Sequence, residues 1–347
     1  MTTTITLGLD TFGDVLSDED GSPVSHAEAI RLLVEQAVLA ETTGVDHFAI
    51  GEHHTPDMPL SAADVVLAAI AARTERIRLG SAVTVLSTDD PVRVYQRYAT
   101  LDALSRGRAE LVLGRGSSTE SFPLFGYDLG DYDELFAEKV ELFSLLREEK
   151  PVTWFGRFRP DLTGQDVVPH TETPGGLPAW LGVGGTPQSV VRAARLRMPL
   201  LLAIIGGPAS RFKPFTDLYR EALRTENVEE LLPIGVHSPG HLAETDEQAR
   251  EEFFPHYMEI FGRVSRQRGF RPPTRQTYEH EVGPGGSLYV GSPETVADKI
   301  VAALRVLGAS RFNLKYGLPG MTQAGALRSV ELYGREVAPR VRAAFAN

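Results

Sequence analysis

Short apolar runs alternate with amphipathic segments along the whole chain. Most of the runs lack the strict apolar–polar alternation of a half-exposed strand. Continuous apolar runs are typical of parallel strands that helices cover on both faces. The pattern predicts eight strands, at residues 5–10, 47–51, 77–84, 109–114, 179–183, 200–205, 232–237 and 311–316.

Helices are predicted between the strands from the residues that begin them. Ser25 begins one helix at capping-box spacing, and Thr245 begins another that reaches about residue 268. Eight strands that alternate with helices, without a strong linker, predict an α/β fold: a (β/α)8 TIM barrel forming a single domain over residues 1–347. An open doubly wound sheet is the alternative, although such sheets usually have fewer strands per domain.

Two segments interrupt the alternation of strands and helices. Residues 150–178 combine aromatic residues, prolines and glycines, which predicts a hairpin-like insertion. Residues 269–290 contain Pro272-Pro273 and the run Gly-Pro-Gly-Gly at 283–286, which predicts a long loop. Excursions of this kind from a barrel commonly form lids or walls of a substrate site.

Composition narrows the class of function. The net charge of −11 argues against nucleic acid as a partner, because binding to a phosphate backbone needs a basic face. The absence of cysteine excludes disulfides and thiolate chemistry. The first residues lack the basic start and apolar core of a signal peptide, and the apolar runs are too short for a membrane span. We therefore expect a cytoplasmic protein without a membrane partner.

Candidate chemistry is expected in the loops that follow the strands, where barrel enzymes carry their active sites. Glu52-His53-His54 follows the second strand. If that strand continued, adjacent histidines would point to opposite faces, which disfavours a metal chelate. A histidine at this end of a strand is placed for acid–base work, and the alternative is that it only satisfies loop backbone groups. His237 ends the predicted seventh strand and is a second candidate, or else a buried histidine with satisfied hydrogen bonds.

Three further loops carry small or cationic residues. The Gly80–Val83 segment lets a planar ligand approach the backbone, or only permits close packing. Arg115 stands between two glycines and is able to grip an anion, or is a surface residue of a turn. The segment 182–189 runs from a strand through glycines and Thr186 into a helix, which favours a phosphate site at the helix N-terminus or an empty turn. It is not the Gly-x-Gly-x-x-Gly pattern of dinucleotide sites.

The order of these segments resembles the luciferase-like family of flavin-dependent monooxygenases, which includes bacterial luciferase. The similarity covers essentially the whole chain. The segments that carry it are Gly51-Glu-His-His54, Leu79-Gly-Ser-Ala-Val83, Pro91-Val-Arg93, Gly114-Arg-Gly116 and Gly291-Ser-Pro-Glu-Thr-Val296. No single segment is diagnostic, but the set in this order is specific.

The resemblance implies an oxidoreductase that binds reduced FMN as a cosubstrate across the barrel mouth. Such an enzyme activates O2 through a flavin C4a-peroxide and oxidises a small organic substrate. A separate NAD(P)H:flavin reductase and a homodimer are further implied partners. The resemblance assigns His53 as the acid–base residue, Ala82 and Val83 to a non-proline cis peptide under the flavin ring, and Arg115, Gly184, Gly185, Thr186 and Ser189 to the phosphate.

Departures from the family keep alternatives open. Gly185 stands where luciferase has a glutamate, and Gly114 stands where it has a reactive cysteine, so light emission is not implied. One alternative is hydride transfer with the deazaflavin F420, whose longer anionic tail favours extra cations; Arg192 and Arg195 lie nearby in sequence. Another is a non-catalytic flavin-binding protein. Phe122, Phe125, Tyr127 and Trp154 are candidates for an apolar substrate wall or for lid core.

Overall fold

The strands follow the apolar runs of the sequence. A computed structural model describes residues 4–116, 118–269 and 271–346. In that part of the chain the strands are β1 (Thr6–Thr11), β2 (His47–Ile50), β3 (Arg78–Ser81), β4 (Thr84–Val85), β5 (Leu111–Gly114), β6 (Val152–Trp154), β7 (Leu162–Gln165), β8 (Ala179–Val183), β9 (Leu200–Ala203), β10 (Ile234–Leu242), β11 (Tyr289–Gly291) and β12 (Arg311–Tyr316).

The helices lie between these strands. They are α1 (His26–Thr43), α2 (Ala63–Ala71), α3 (Pro91–Ser105), α4 (Ser121–Phe125), α5 (Tyr132–Leu146), α6 (Pro187–Arg195), α7 (Lys213–Thr225), α8 (Asp246–Arg268), α9 (Arg275–Val282), α10 (Pro293–Leu307), α11 (Gln323–Leu332) and α12 (Ala338–Phe345). As predicted, Ser25 and Thr245 cap α1 and α8, each accepting a hydrogen bond from the backbone N–H three residues on. None of the described helices is long and apolar enough to cross a membrane.

The main sheet is parallel and nearly closes on itself. Its order is β3-β2-β1-β12-β10-β9-β8-β5-β4, so the two strands at its ends belong to one chain segment, residues 78–85. The backbone of Leu79 in β3 also bonds to the segment before β5, through the carbonyl of Arg108 at 3.0 Å and the N–H of Glu110 at 2.9 Å. When β3 and β4 are counted as one strand, the sheet is the predicted eight-stranded TIM barrel. The open-sheet alternative is excluded.

Two predicted segments differ from the structure. The predicted strand at 77–84 is interrupted after Ser81, where the Ala82–Val83 peptide bond is cis. The predicted long loop at 269–290 is wrong, since it contains α9 and β11, and β11 pairs in parallel with β10. The insertion at 150–178 contains the antiparallel pair β6–β7.

The barrel interior carries a charged cluster toward the N-terminal ends of the strands. The guanidinium of Arg311 donates to His47 Nδ1 at 2.8 Å, is ion-paired with Glu110, and lies over the ring of Trp180. His47 Nε2 is 3.1 Å from the Glu110 carboxylate. Because β12, β2 and the segment before β5 are not neighbours, these contacts cross the barrel. The cluster therefore fills the barrel below the cavity described next.

Candidate active site

A cavity opens at the C-terminal ends of the barrel strands. Its lining comes from loops and strand ends that lie far apart in the sequence. The lining residues are Phe12, Glu52, His53, His54, Ala82, Val83, Val85, Gly114, Arg115, Gly116, Ser118, Glu120, Ser121, Tyr132, Gly182, Val183, Gly184, Leu201, Ala203, Ile205 and His237. This is the end of the barrel at which the sequence predicts the site.

The floor of the cavity is formed around the cis peptide bond between Ala82 and Val83. Val83 packs on the buried residues Val112, Trp180 and Leu201. Two lining glycines leave room for its side chain. A Cβ atom on Gly114 would lie 2.5 Å from Val83 Cγ2, and one on Gly182 would lie 3.2 Å from Val83 Cγ1. The floor is therefore apolar and free of side chains that would rise into the cavity at Gly114 and Gly182.

The loops that follow β5 and β8 meet at one side of the cavity. Arg115 donates from one guanidinium nitrogen to Thr186 Oγ1 at 3.3 Å and from another to the exposed Asp133 carboxylate at 2.6 Å. The Thr186 hydroxyl donates to Ser189 Oγ at 2.8 Å and makes no side-chain cap to α6. The backbone at Gly185 has a φ of 124°, which favours glycine. A guanidinium, two hydroxyls and a helix start thus come together.

Two further arginines, Arg192 and Arg195, lie in α6, and Arg192 is the one whose charge interacts with that of Arg115. Arg195 is ion-paired with Glu141. Arg192 lies over the Phe136 ring at 5.7 Å, and burial together with the nearby charge of Arg115 lowers its pKa. This side of the cavity is therefore cationic.

Three histidine–carboxylate pairs contribute to the cavity lining in the described part of the chain. His53 Nδ1 is 2.9 Å from Glu120 Oε1, His54 Nε2 is 3.0 Å from Glu52 Oε1, and His237 Nδ1 is 2.8 Å from Asp10 Oδ2. The expectation that a continuing strand would turn His53 and His54 to opposite faces does not apply. Since β2 ends at Ile50, both histidines lie in an irregular loop and both line the cavity.

The carboxylates of these pairs differ in electrostatics. Burial raises the pKa of Glu52, and hydrogen bonds from the Val85 N–H and His54 offset this only in part. Burial acts in the same direction on Glu120, but the hydrogen bond and charge of His53, together with backbone hydrogen bonds, outweigh burial and lower the pKa. An ionised Glu120 accepts from Nδ1–H of His53. This fixes the tautomer in which the other ring nitrogen, Nε2, is free to take a proton.

A family model for luciferase-like monooxygenases matches residues 11–311. The chain belongs to that family. It is 27% identical to limonene 1,2-monooxygenase of Rhodococcus erythropolis, over 90% of this chain and 81% of that protein.

Solved structures agree on the fold of the family. The oxygenating constituent of 3,6-diketocamphane monooxygenase from Pseudomonas putida, a type II Baeyer-Villiger monooxygenase in complex with FMN, superposes with a TM-score of 0.75 at 18% identity. That match covers 97% of this chain and 98% of the other. An F420-dependent secondary alcohol dehydrogenase in complex with an F420–acetone adduct superposes with a TM-score of 0.74 at 16% identity, over 97% and 99% of the two chains.

The residues assigned from the family resemblance lie around this one cavity. His53, Ala82, Val83, Arg115 and Gly184 line it. The Thr186 hydroxyl accepts from Arg115 and donates to Ser189. Gly185 lies between Gly184 and Thr186 in the same loop.

The four aromatic candidates, left open between a substrate wall and lid core, lie outside the cavity lining. None of Phe122, Phe125, Tyr127 and Trp154 is among the lining residues. Phe122 is fully buried, and Trp154 belongs to the β6–β7 hairpin. Two aromatic side chains outside these candidates, Phe12 and Tyr132, line the cavity, and the ring centroid of Phe12 is 4.9 Å from that of His53. Phe12 directly follows β1, two residues beyond Asp10, and a position at the end of a strand is the sequence feature that indicates a lining residue.

Proposed function

We propose that the protein is an FMNH2-dependent monooxygenase that oxidises a small organic substrate. The observation that carries the proposal is the contact between Arg115 and Thr186, which supports a phosphate site beside the cavity that His53 lines. A flavin mononucleotide has an anionic end and a planar ring, and the cavity offers a feature that suits each.

The residues present fit such a cofactor. Arg115, the hydroxyls of Thr186 and Ser189, and the backbone of Gly184 and Gly185 would hold the phosphate through charge-assisted hydrogen bonds. The apolar side chain of Val83, for which Gly114 and Gly182 leave room, would support the ring. The exposed Asp133 carboxylate is ion-paired with Arg115, and a bound phosphate would compete with this carboxylate for the guanidinium.

When bound, reduced FMN supplies the electrons that activate O2. The task of His53 is to hold or move a proton at Nε2, while Glu120 fixes the ring through Nδ1. The Phe12 ring packs against this imidazole and restricts its movement. Phe12, Val83 and Val85 contribute apolar surface that helps to exclude water from the reacting atoms.

F420-dependent hydride transfer is the second candidate. The observation that favours it is the second cation beside the anion site, Arg192, since the tail of F420 carries more negative charge than FMN. The F420-dependent alcohol dehydrogenase of the same fold is consistent with this alternative.

Stopped-flow absorbance separates these candidates without a known substrate. We expect the protein to bind FMNH2 and to alter the rate at which it is reoxidised by O2 relative to free FMNH2. Reduced F420 should bind at least ten-fold more weakly. Tighter binding of F420 would overturn the proposal in favour of hydride transfer. Binding of FMNH2 with a reoxidation rate equal to that in free solution would favour a non-catalytic flavin-binding protein.

A further inference from the structure

The third histidine–carboxylate pair, His237 with Asp10, is not used in the mechanism above. Asp10 lies in β1 and is fully buried, while His237 lies within β10 and retains 8% of its surface exposed. β12 separates the two strands in the sheet, so the pair reaches across a strand inside the barrel. His237 also lines the cavity.

The pairing leaves one imidazole nitrogen available. Nδ1 of His237 is bound to Asp10 Oδ2 at 2.8 Å, and none of the described residues hydrogen-bonds Nε2. A carboxylate that accepts from Nδ1–H fixes the tautomer in which Nε2 carries a lone pair. Oδ1 of Asp10 has no hydrogen-bond partner among the described residues, so His237 is the partner that this carboxylate has. The free nitrogen therefore presents an acceptor.

The surroundings of His237 in the cavity are apolar. Leu201, Ala203 and Ile205 come from β9 and the residues just after it, and Ala203 pairs directly with His237 in the sheet register. The Phe12 ring is stacked on the His237 ring, with the two ring centroids 6.2 Å apart and the ring planes at 24°. A ligand in this part of the cavity meets hydrocarbon from these residues and the hydrogen-bond acceptor of His237.

We propose that His237, oriented by Asp10, positions the substrate by accepting a hydrogen bond from a hydroxyl group on a largely apolar molecule, an alcohol or a phenol. The proposal rests on the proposed function, because it takes the floor and the anion side as occupied by the cofactor. The hydrogen bond from Nδ1 to Asp10 keeps the lone pair of Nε2 available on the other side of the imidazole, an arrangement that packing alone does not require. The cavity is thus assigned a second imidazole with a role distinct from that of His53.

Two probes of nearly equal shape test this assignment. Phenol carries the hydroxyl, and anisole replaces its hydrogen with a methyl group. We expect phenol to bind the wild-type protein about 5-fold more tightly than anisole, the effect of one neutral hydrogen bond. In His237→Phe, which keeps the ring but removes the acceptor, this ratio should fall to about 1.

A matched control comes from another histidine–aspartate pair of the chain. His170 Nε2 is 3.1 Å from Asp166 on the exposed insertion, away from the cavity. His170→Phe should keep the 5-fold preference for phenol. FMN affinity, measured on the same samples, should be equal in all three proteins. Failure of the wild type to bind FMN would defeat the proposed function, whereas FMN binding without a preference for phenol would overturn this inference alone.

Three results would overturn the inference. They are equal affinities of the wild type for the two probes, retention of the preference in His237→Phe, and failure of both probes to bind. Should His237→Phe not fold, the wild type decides the matter through the NMR signals of labelled histidine. Phenol must then shift the His237 ring signals more than anisole does, and equal shifts contradict the assignment.

Discussion

At the scale of single residues, the chemistry of the cavity depends on partners that are distant in sequence. Glu120 is 67 positions from His53, and Asp10 is 227 positions from His237. Both histidines were found from the sequence because they lie at or near the end of a predicted strand. Their carboxylate partners were not found, because the barrel rather than any local spacing brings them together. Arg115 and Thr186 were predictable for the opposite reason, since each follows its own strand and the parallel order brings those ends together.

The role of His53 gives the first prediction at this scale. His53→Gln should leave FMN affinity within about two-fold and lower substrate turnover by roughly 10²- to 10⁴-fold, the usual range for a general acid or base. Glu120→Gln should lower turnover less, because an amide oxygen still accepts from Nδ1–H but no longer stabilises a positive imidazole. Equilibrium titration and single-turnover kinetics give the two quantities.

The exposed His26, which contacts the Pro56 carbonyl at 2.9 Å, provides the control for that experiment. His26→Gln should behave as the wild type. Turnover by His53→Gln equal to that of the control would remove His53 from the mechanism.

At the scale of elements, local signals were sufficient for most strands and helix starts, and insufficient where glycine and proline dominate. Segment 269–290 was predicted as a loop because of its Pro-Pro and Gly-Pro-Gly-Gly runs. Helix α9 lies between those runs and begins with a capping box formed by Thr274 and Thr277. The break between β3 and β4 after Ser81 was also not predicted from the apolar pattern. The apolar run continues through residues 82–83, so the pattern does not indicate that the strand ends there.

Lys299 of α10 explains part of the order in that segment. Its ammonium donates to the carbonyls of Gly283 at 2.7 Å and Leu288 at 2.6 Å, with longer contacts to those of Glu281 and Val282. Burial lowers the pKa of Lys299 to about 8. The side chain thereby satisfies carbonyls at the end of α9 and just before β11, which would otherwise lack this donor.

Removing this contact gives a prediction on stability. Lys299→Met should lower the free energy of unfolding by about 1–3 kcal/mol, because buried carbonyls lose a charged donor. Lys150→Met is the control, since that lysine is exposed and its ammonium is 3.3 Å from the exposed Glu148 carboxylate, and it should change the value by less than about 0.5 kcal/mol. Urea denaturation measures both. Equal values for the two variants would show that the 269–290 segment does not depend on Lys299.

At the scale of the whole molecule, the sequence predicted the closed barrel and the end that carries the site. It did not predict the polar filling beneath the floor. The residues of that cluster alternate with residues on the outer face of short strands, and their types alone do not indicate that Arg311, Glu110 and His47 meet across the barrel. The cluster has a consequence for the stability of the fold at low pH.

Burial, followed by the charge of Arg311, lowers the pKa of His47 to about 4 from an ordinary value near 6.5. As the pH falls through about 6.5, the unfolded chain takes up a proton at this residue and the folded barrel does not. The free energy of unfolding should therefore decrease between about pH 6.5 and pH 4. Burial also opposes ionisation of Glu110, but Arg311 and His47 together outweigh it and hold its pKa well below the usual range, so Glu110 adds to the loss once the pH falls through about 4.5, its ordinary value.

Denaturation at pH 7, 5.5 and 4 tests this contribution. His47→Gln removes the titrating group and should flatten the pH dependence relative to the wild type. His170→Gln removes an exposed histidine and should keep the wild-type slope. If His47→Gln and the wild type lost stability in parallel over this window, the acid sensitivity would have another origin.

The central claim is that the loops after β5 and β8 hold a flavin phosphate at the mouth of this barrel. FMN and riboflavin share the ring and differ in the phosphate, so their affinities for the wild type and Arg115→Ala test it most directly. We expect Arg115→Ala to weaken FMN binding by about 1.5–3 kcal/mol, roughly 10- to 150-fold, and to leave riboflavin binding unchanged. Arg195→Ala, which removes a nearby arginine paired with Glu141, should change neither affinity. Equal losses for FMN and riboflavin in Arg115→Ala, or no loss for either, would contradict the account.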